Sequence, residues 1–151
     1  MSIWWSLQLR RDAASVPLAR RLLIGAMETA GVDPDISYDL SVALSEACAN
    51  AVEHGGRAPG ATPGGYRVTA YLEGERCRIE VADAGPGFPV GRPRTTAPGR
   101  VPAESESGRG MYLIEELADH VHFGNAPGRG GAVVSFDKIL KWKAQPPLLT
   151  A

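Results

Sequence analysis

The chain has 151 residues, 16 basic side chains against 17 acidic ones, and a net charge of −1. That length suits one ordinary domain and is enough to bury a core without disulfide or metal staples. The balanced charge offers no basic footprint for nucleic acid and no apolar run approaches the roughly 18–20 residues of a spanning helix, so no direct nucleic-acid and no membrane contact is expected.

The first segment, MSIWWSLQLRR, lacks the charged start and long apolar run of a secretory signal. Within it, Ser6-Leu7-Gln8-Leu9-Arg10 alternates and predicts a strand with Leu7 and Leu9 inward. Trp4 and Trp5 are neighbours, so on a strand they face opposite sides, one toward the core and one toward an interface. Ser15 is placed to cap a helix, with Pro17 in its first turn. Leu18, Leu22, Met27 and Ala30, with Leu23 and Ala26 beside them, make its apolar stripe, and Gly31 stops it. A second helix is predicted from Asp33-Pro34-Asp35 to about His54, where Gly55 and Gly56 end it. Arg57–Gly65 reads as loop. Tyr66–Leu72 and Arg76–Ala82 alternate around the tight turn Glu73-Gly74-Glu75, a β-hairpin.

Ala84–Ser107 holds five prolines and four glycines and has no apolar period. So long a patternless stretch signals a functional lid or a disordered segment. Gly108–Asp119 is helical, with Leu113, Ile114, Leu117 and Ala118 inward. Val121–Gly124 and Gly131–Ile139 form a last hairpin, and 141–151 reads as a flexible tail. Tight turns between strands and one apolar stripe per helix predict an α+β fold. It is a two-layer sandwich, a mostly antiparallel mixed sheet with helices on one face, forming a single domain over 1–140. The two cysteines, Cys48 and Cys77, show no metal spacing, and a soluble, reduced, cytoplasmic protein is the expectation.

Three local patterns carry chemistry. In SEACANAVEHGG, Ser45–Gly56, the residues Glu46, Asn50 and His54 recur every fourth position. On a helical wheel they share one arc with Glu53, opposite Leu40, Leu44, Ala47, Cys48, Ala51 and Val52. A solvated face is the plain alternative. Against it, the row contains no Lys or Arg, and the two glycines at its end allow a close backbone approach. His54 is either a ligand neighbour or a charge that caps the helix end. In Val81-Ala82-Asp83-Ala84-Gly85-Pro86-Gly87-Phe88, a strand ends in Asp, a residue poor in strands. Asp83 is placed to accept a hydrogen bond from the exocyclic amine of a base, with Gly85 and Gly87 presenting bare backbone; an ordinary Asp-Gly turn is the alternative. In Ser107-Gly108-Arg109-Gly110-Met111, glycines open a helix, where free N–H groups and the positive dipole end suit phosphate. The P-loop, dinucleotide-fold, serine-hydrolase and zinc signatures are all missing.

The order ExxxNxxxH, then DxGxG, then a long loop, then GxG at a helix start resembles the GHKL, or Bergerat-fold, ATPases, the histidine-kinase-like ATPase domains. Within that family the chain is most similar to the small anti-sigma-factor serine kinases of bacteria, which carry an E-A-x-x-N-A-x-x-H box. Here the box is Glu46-Ala47-Cys48-Ala49-Asn50-Ala51-Val52-Glu53-His54, and the likeness spans roughly 6–138. The resemblance implies ATP and Mg²⁺ as cofactors. It makes Asn50 the residue that holds Mg²⁺ against the phosphates and Glu46 the base that orients or deprotonates a nucleophile. Asp83 becomes the adenine-amine acceptor, and Gly85 and Gly87 the glycines under base and ribose. Gly108, Arg109 and Gly110 become the phosphate-facing loop, with His54 beside the site and residues 88–107 as the ATP lid. It further implies phosphorylation of a serine on an anti-anti-sigma (STAS-type) protein, binding of a sigma factor, and a homodimer. Two positions depart from the family pattern. Ser107 stands where a glycine is common, and Gly131-Ala132 stands where Gly-Thr is common with its Thr near phosphate. These departures keep a second expectation open, an ATP-gated protein-binding module with little or no phosphoryl transfer. A third is a stand-alone histidine-kinase-type catalytic domain acting on a separate phosphoacceptor helix.

Overall fold

The computed structural model describes residues 2–54, 65–83, 106–125 and 131–143. The elements run β1 (Ser2–Leu9), α1 (Ser15–Ala30), α2 (Pro34–His54), β2 (Tyr66–Glu73), β3 (Arg76–Asp83), α3 (Glu106–Leu117), β4 (His120–Asn125) and β5 (Ala132–Ile139). The strands form one sheet in the order β1-β2-β3-β5-β4. Every pairing among them is antiparallel, so the mostly antiparallel sheet expected from sequence is found, with no parallel pair among the described strands.

Period-two alternation divides the sheet into two faces. Leu7 and Leu9, Tyr66, Val68 and Ala70, Cys77, Ile79 and Val81, Val134 and Phe136, and Phe123 meet the helices and build the core. The opposite face bears Trp4, Thr69, Arg78 and His122, and Trp4 is 67% exposed there while Trp5 packs on the core. The two tryptophans thus separate as their adjacency requires. The helices lie on the core face, where α2 packs against α1, α3, β3 and β5. Leu40, Leu44, Ala47, Cys48 and Ala51 are buried along α2 as the wheel predicts, and Val52 is half-buried. Each fully buried Leu of this set contributes roughly 1.5–3 kcal/mol.

Four local expectations are corrected. Ser15 does not cap α1. It is buried as the helix's first residue; its hydroxyl donates to the Asp12 carbonyl and shares a hydrogen bond with the Tyr66 hydroxyl. Asp12 Oδ1 instead accepts the Ala14 N–H in the preceding turn. The inward row of α1 is Ser15, Ala19, Leu23 and Met27, while Leu18 and Leu22 are 45% and 44% exposed. The sequence offers two apolar rows about 100° apart, and close packing on α2 selects the one containing small Ala19. Gly31 does end α1, at φ 83°, with Gly31 N–H bonded to Glu28 and Val32 N–H to Met27. These are the two bonds of a Schellman cap. The chain after β5 is not loose from residue 141 onward. Lys141 accepts from Asp33 N–H, Trp142 bridges to Val32, and Lys143 N–H donates to Gly31; 144–151 lie outside the described residues. Finally, α3 begins at Glu106, so the last two residues expected in the lid are helical, and 88–105 lie outside the described residues.

Candidate functional site

Register places one row of residues at the end of the sheet on the helix side: Leu9, Tyr66, Asp83, Ala132 and Asn125, with Asp83 at the end of central β3. Asp83 is half-buried, and its Oδ1 accepts the Ala132 N–H at 3.2 Å. A carboxylate has about four lone-pair sites, so this bond orients Asp83 and leaves capacity for a ligand donor. Position 132 thus stands beside Asp83.

The end of α2 stands over this same edge of the sheet. Arg11, two residues beyond Leu9, bonds to the carbonyls of Ala51 and Val52 in the last turn of α2. Asn50 lies just before them. Its Oδ1 is buried and has no hydrogen-bond partner among the described residues. Leaving such an oxygen unmet costs about 1–3 kcal/mol, a cost that a site for a ligand explains and a solvated helix face does not. Asn50 thus fits Mg²⁺, which takes one or two hard oxygens from a protein and the rest from phosphates and water. Among the described residues no group of three or more His, Cys, Asp or Glu could hold a metal alone.

Glu46, one turn earlier on α2, is half-buried and faces the start of α3. A Cβ added to Gly110 would lie 3.0 Å from Glu46 Oε2. Gly110 therefore lets the first turns of α3 close on the Glu46 carboxylate. Gly108 and Arg109 lie inside the first turn of α3 rather than in a loop before it. The first N–H groups of α3, those of Glu106, Ser107 and Gly108, have no intrahelical acceptor, and they stand at the helix end that carries positive dipole charge. His54 closes α2, with its side chain outside the described residues, as are the side chain of Arg109 and all of Gly85 and Gly87.

Below the site, Tyr66, Ser15 and Cys48 form a buried polar group that ties β2, α1 and α2 together. Burial pushes the Cys48 thiol up to about 12, with the Tyr66 hydroxyl opposing, so the thiol is neutral packing. The sequence reading missed Arg11. Its partners are 40 and 41 residues away, and no local pattern marks a contact of that range.

Comparison with known proteins follows this geometry. The histidine kinase-like ATPase domain family matches residues 9–138. The serine-protein kinase RsbW of Bacillus licheniformis is 35% identical over 130 residues, 83% of this chain and 78% of that protein. The RsbW of Bacillus subtilis is 31% identical over 130 residues, with the same shares covered. In fold, the chain is similar to the crystal structure of the RsbU and RsbW domains of a Mycobacterium tuberculosis protein. The TM-score is 0.66 at 23% identity, covering 91% of this chain and 32% of that longer one. With Asn50, Glu46, Asp83 and the start of α3 gathered at one end of the sheet, this chain belongs to the histidine kinase-like ATPase domain family.

Proposed function

We propose that the chain, as a single domain over 1–140, is an ATP-dependent protein serine kinase of the anti-sigma-factor type. The observation that carries this reading is the convergence of α2's last turn, the end of β3 and the start of α3. Asp83 accepts the adenine amine, and the family resemblance assigns Gly85 and Gly87 to base and ribose. The open N–H groups at the start of α3, with Gly108, Arg109 and Gly110, meet the phosphates, and the resemblance assigns His54 to the same site. Asn50 would hold Mg²⁺, which would supply charge neutralisation for the phosphates. Glu46 takes the proton of a serine hydroxyl as its oxygen bonds to the γ-phosphorus; the bond to the β-phosphate bridging oxygen breaks, and ADP leaves. Phosphoryl transfer depends on such positioning and charge neutralisation more than on covalent help.

The serine belongs to an anti-anti-sigma (STAS-type) protein, and the same chain sequesters a sigma factor. This partner assignment rests on the curated relatives' being serine-protein kinases RsbW and on the family resemblance of the motifs. The protein acts in the cytoplasm as a homodimer; exposed Trp4, opposite Tyr71 on the helix-free face, supports an apolar contact there. The place of Ala132 beside Asp83 weighs against the non-catalytic binding module, because the missing hydroxyl does not fall on the transfer end.

Purified protein with Mg²⁺ and radiolabelled ATP is expected to put acid-stable phosphate on serine of a STAS-type partner. Glu46→Ala should abolish labelling while keeping ATP binding. An acid-labile product would replace this reading with the histidine-kinase type. Partner capture that needs ATP and survives Glu46→Ala, without labelling, would replace it with the binding module.

A further inference from the structure

The carbonyls of Val52, Glu53 and His54, in the last turn of α2, have no intrahelical N–H to accept. Arg11 reaches the first of them, and the Ala51 carbonyl just before it, from the turn after β1. Its Nη2 donates to the Val52 carbonyl at 2.6 Å and its Nε to the Ala51 carbonyl at 3.4 Å. The guanidinium also sets positive charge at the negative end of the helix dipole. Arg11 is half-buried, so this contact is sheltered from water.

The clamped turn follows directly on Asn50, whose Oδ1 is buried without a partner among the described residues. Helix ends are where local opening is easiest. A frayed last turn would let that amide swing to water, where its oxygen could be solvated. Holding it inward requires that the backbone on its C-terminal side stay helical. We infer that Arg11 is a positioning residue of the nucleotide site, a clamp on the last turn of α2 that keeps the Asn50 oxygen at the metal position. The inference rests on reading the site as one for Mg·ATP. The planar fork is essential to it, because one group must span two successive carbonyls, and lysine's single ammonium does not reproduce that geometry.

The test compares wild type with Arg11→Met, Arg11→Lys and Lys138→Met. Lys138 Nζ donates to the Leu117 carbonyl at 2.7 Å, a cation on the C-terminal end of α3. Its loss controls for general destabilisation. Amide hydrogen exchange without ligand is expected to speed up about tenfold in the last turn of α2 for Arg11→Met, with an intermediate change for Arg11→Lys. Calorimetry is expected to show a loss of about tenfold in affinity for ATP with Mg²⁺, and a change within about twofold for ATP with chelator. Lys138→Met should leave both readouts at wild-type values even where its melting temperature falls. Arg11→Lys carries the test if Arg11→Met does not fold. Wild-type exchange and wild-type metal-dependent affinity in both Arg11 variants overturn the role alone, as does an equal loss in Lys138→Met. A wild-type protein that binds no nucleotide overturns the site reading and this role with it.

Discussion

Asp83→Asn puts one oxygen where two acceptors are in use. In the native protein Asp83 Oδ1 takes the Ala132 N–H at 3.2 Å, and in the proposed complex the carboxylate also accepts from the adenine amine. Asparagine has two ways to sit. With its oxygen on Ala132, its NH₂ faces the adenine amine, donor against donor. With its oxygen on the base, its NH₂ faces the Ala132 N–H, and the unpaired donor lies at the end of the β3–β5 ladder. Either way one donor goes unpaired and the charge of the acceptor is lost, about 1.5–3 kcal/mol. That corresponds to roughly 12- to 150-fold in Kd if the whole cost falls on the ligand. If the second orientation wins, affinity falls less and the ligand-free protein loses about 1–2 kcal/mol of stability. The sum of the two losses is the predicted quantity. Calorimetry with ATP and denaturant unfolding without ligand measure them. Inosine triphosphate, with a 6-oxo acceptor in place of the amine, should gain on ATP in the variant. An Asp83→Asn protein within about twofold of wild type for ATP and within about 0.5 kcal/mol in stability would refute the reasoning.

Asn50→Ala should remove the Mg²⁺ dependence of ATP binding while leaving the ligand-free protein equally or more stable, because the Oδ1 it deletes is buried and unpaired among the described residues; parallel calorimetry and thermal melts check both halves. Gly110→Ala brings a Cβ to 3.0 Å from Glu46 Oε2, so the carboxylate must shift by a few tenths of an ångström. Phosphoryl transfer should fall about tenfold or more while ATP affinity changes less, read from single-turnover labelling. Burial raises Cys48 and Cys77 from 9.0 to about 12 in the folded protein. Unfolded thiols lose their protons first, so the unfolded state binds fewer protons between those values and stability falls there as pH rises. The thiols' contribution is fully present below about pH 9, and urea unfolding at pH 8 and pH 10.5 should differ in that direction. Both cysteines should resist alkylation at pH 8 until the chain unfolds.

The elements were legible because each obeys a one-dimensional rule. Alternation marks β2 and β3, the Leu40-Leu44-Ala47-Cys48-Ala51 arc marks the buried side of α2, and Gly31 marks the end of α1. What failed was any choice between locally equal options. Leu18 and Leu22 repeat as well as Ala19 and Leu23 do, and only contact with α2 separates the two rows. Ser15 looks like a cap until the Tyr66 hydroxyl, far off in sequence, claims its oxygen.

The candidate site divides the same way. Residue types and spacings alone determined the chemistry present: an acid and an amide one helical turn apart, an Asp ending a strand, glycines where a helix begins. These are properties of neighbours along the chain, fixed by backbone geometry within a few residues. Tertiary structure alone decided that they meet. Strand register aligns Asp83 with Ala132, Gly110 lets α3 close on Glu46, and Arg11 holds the turn after Asn50. Such contacts join residues tens of positions apart, and their free energy depends on how the whole core packs, which no local pattern encodes.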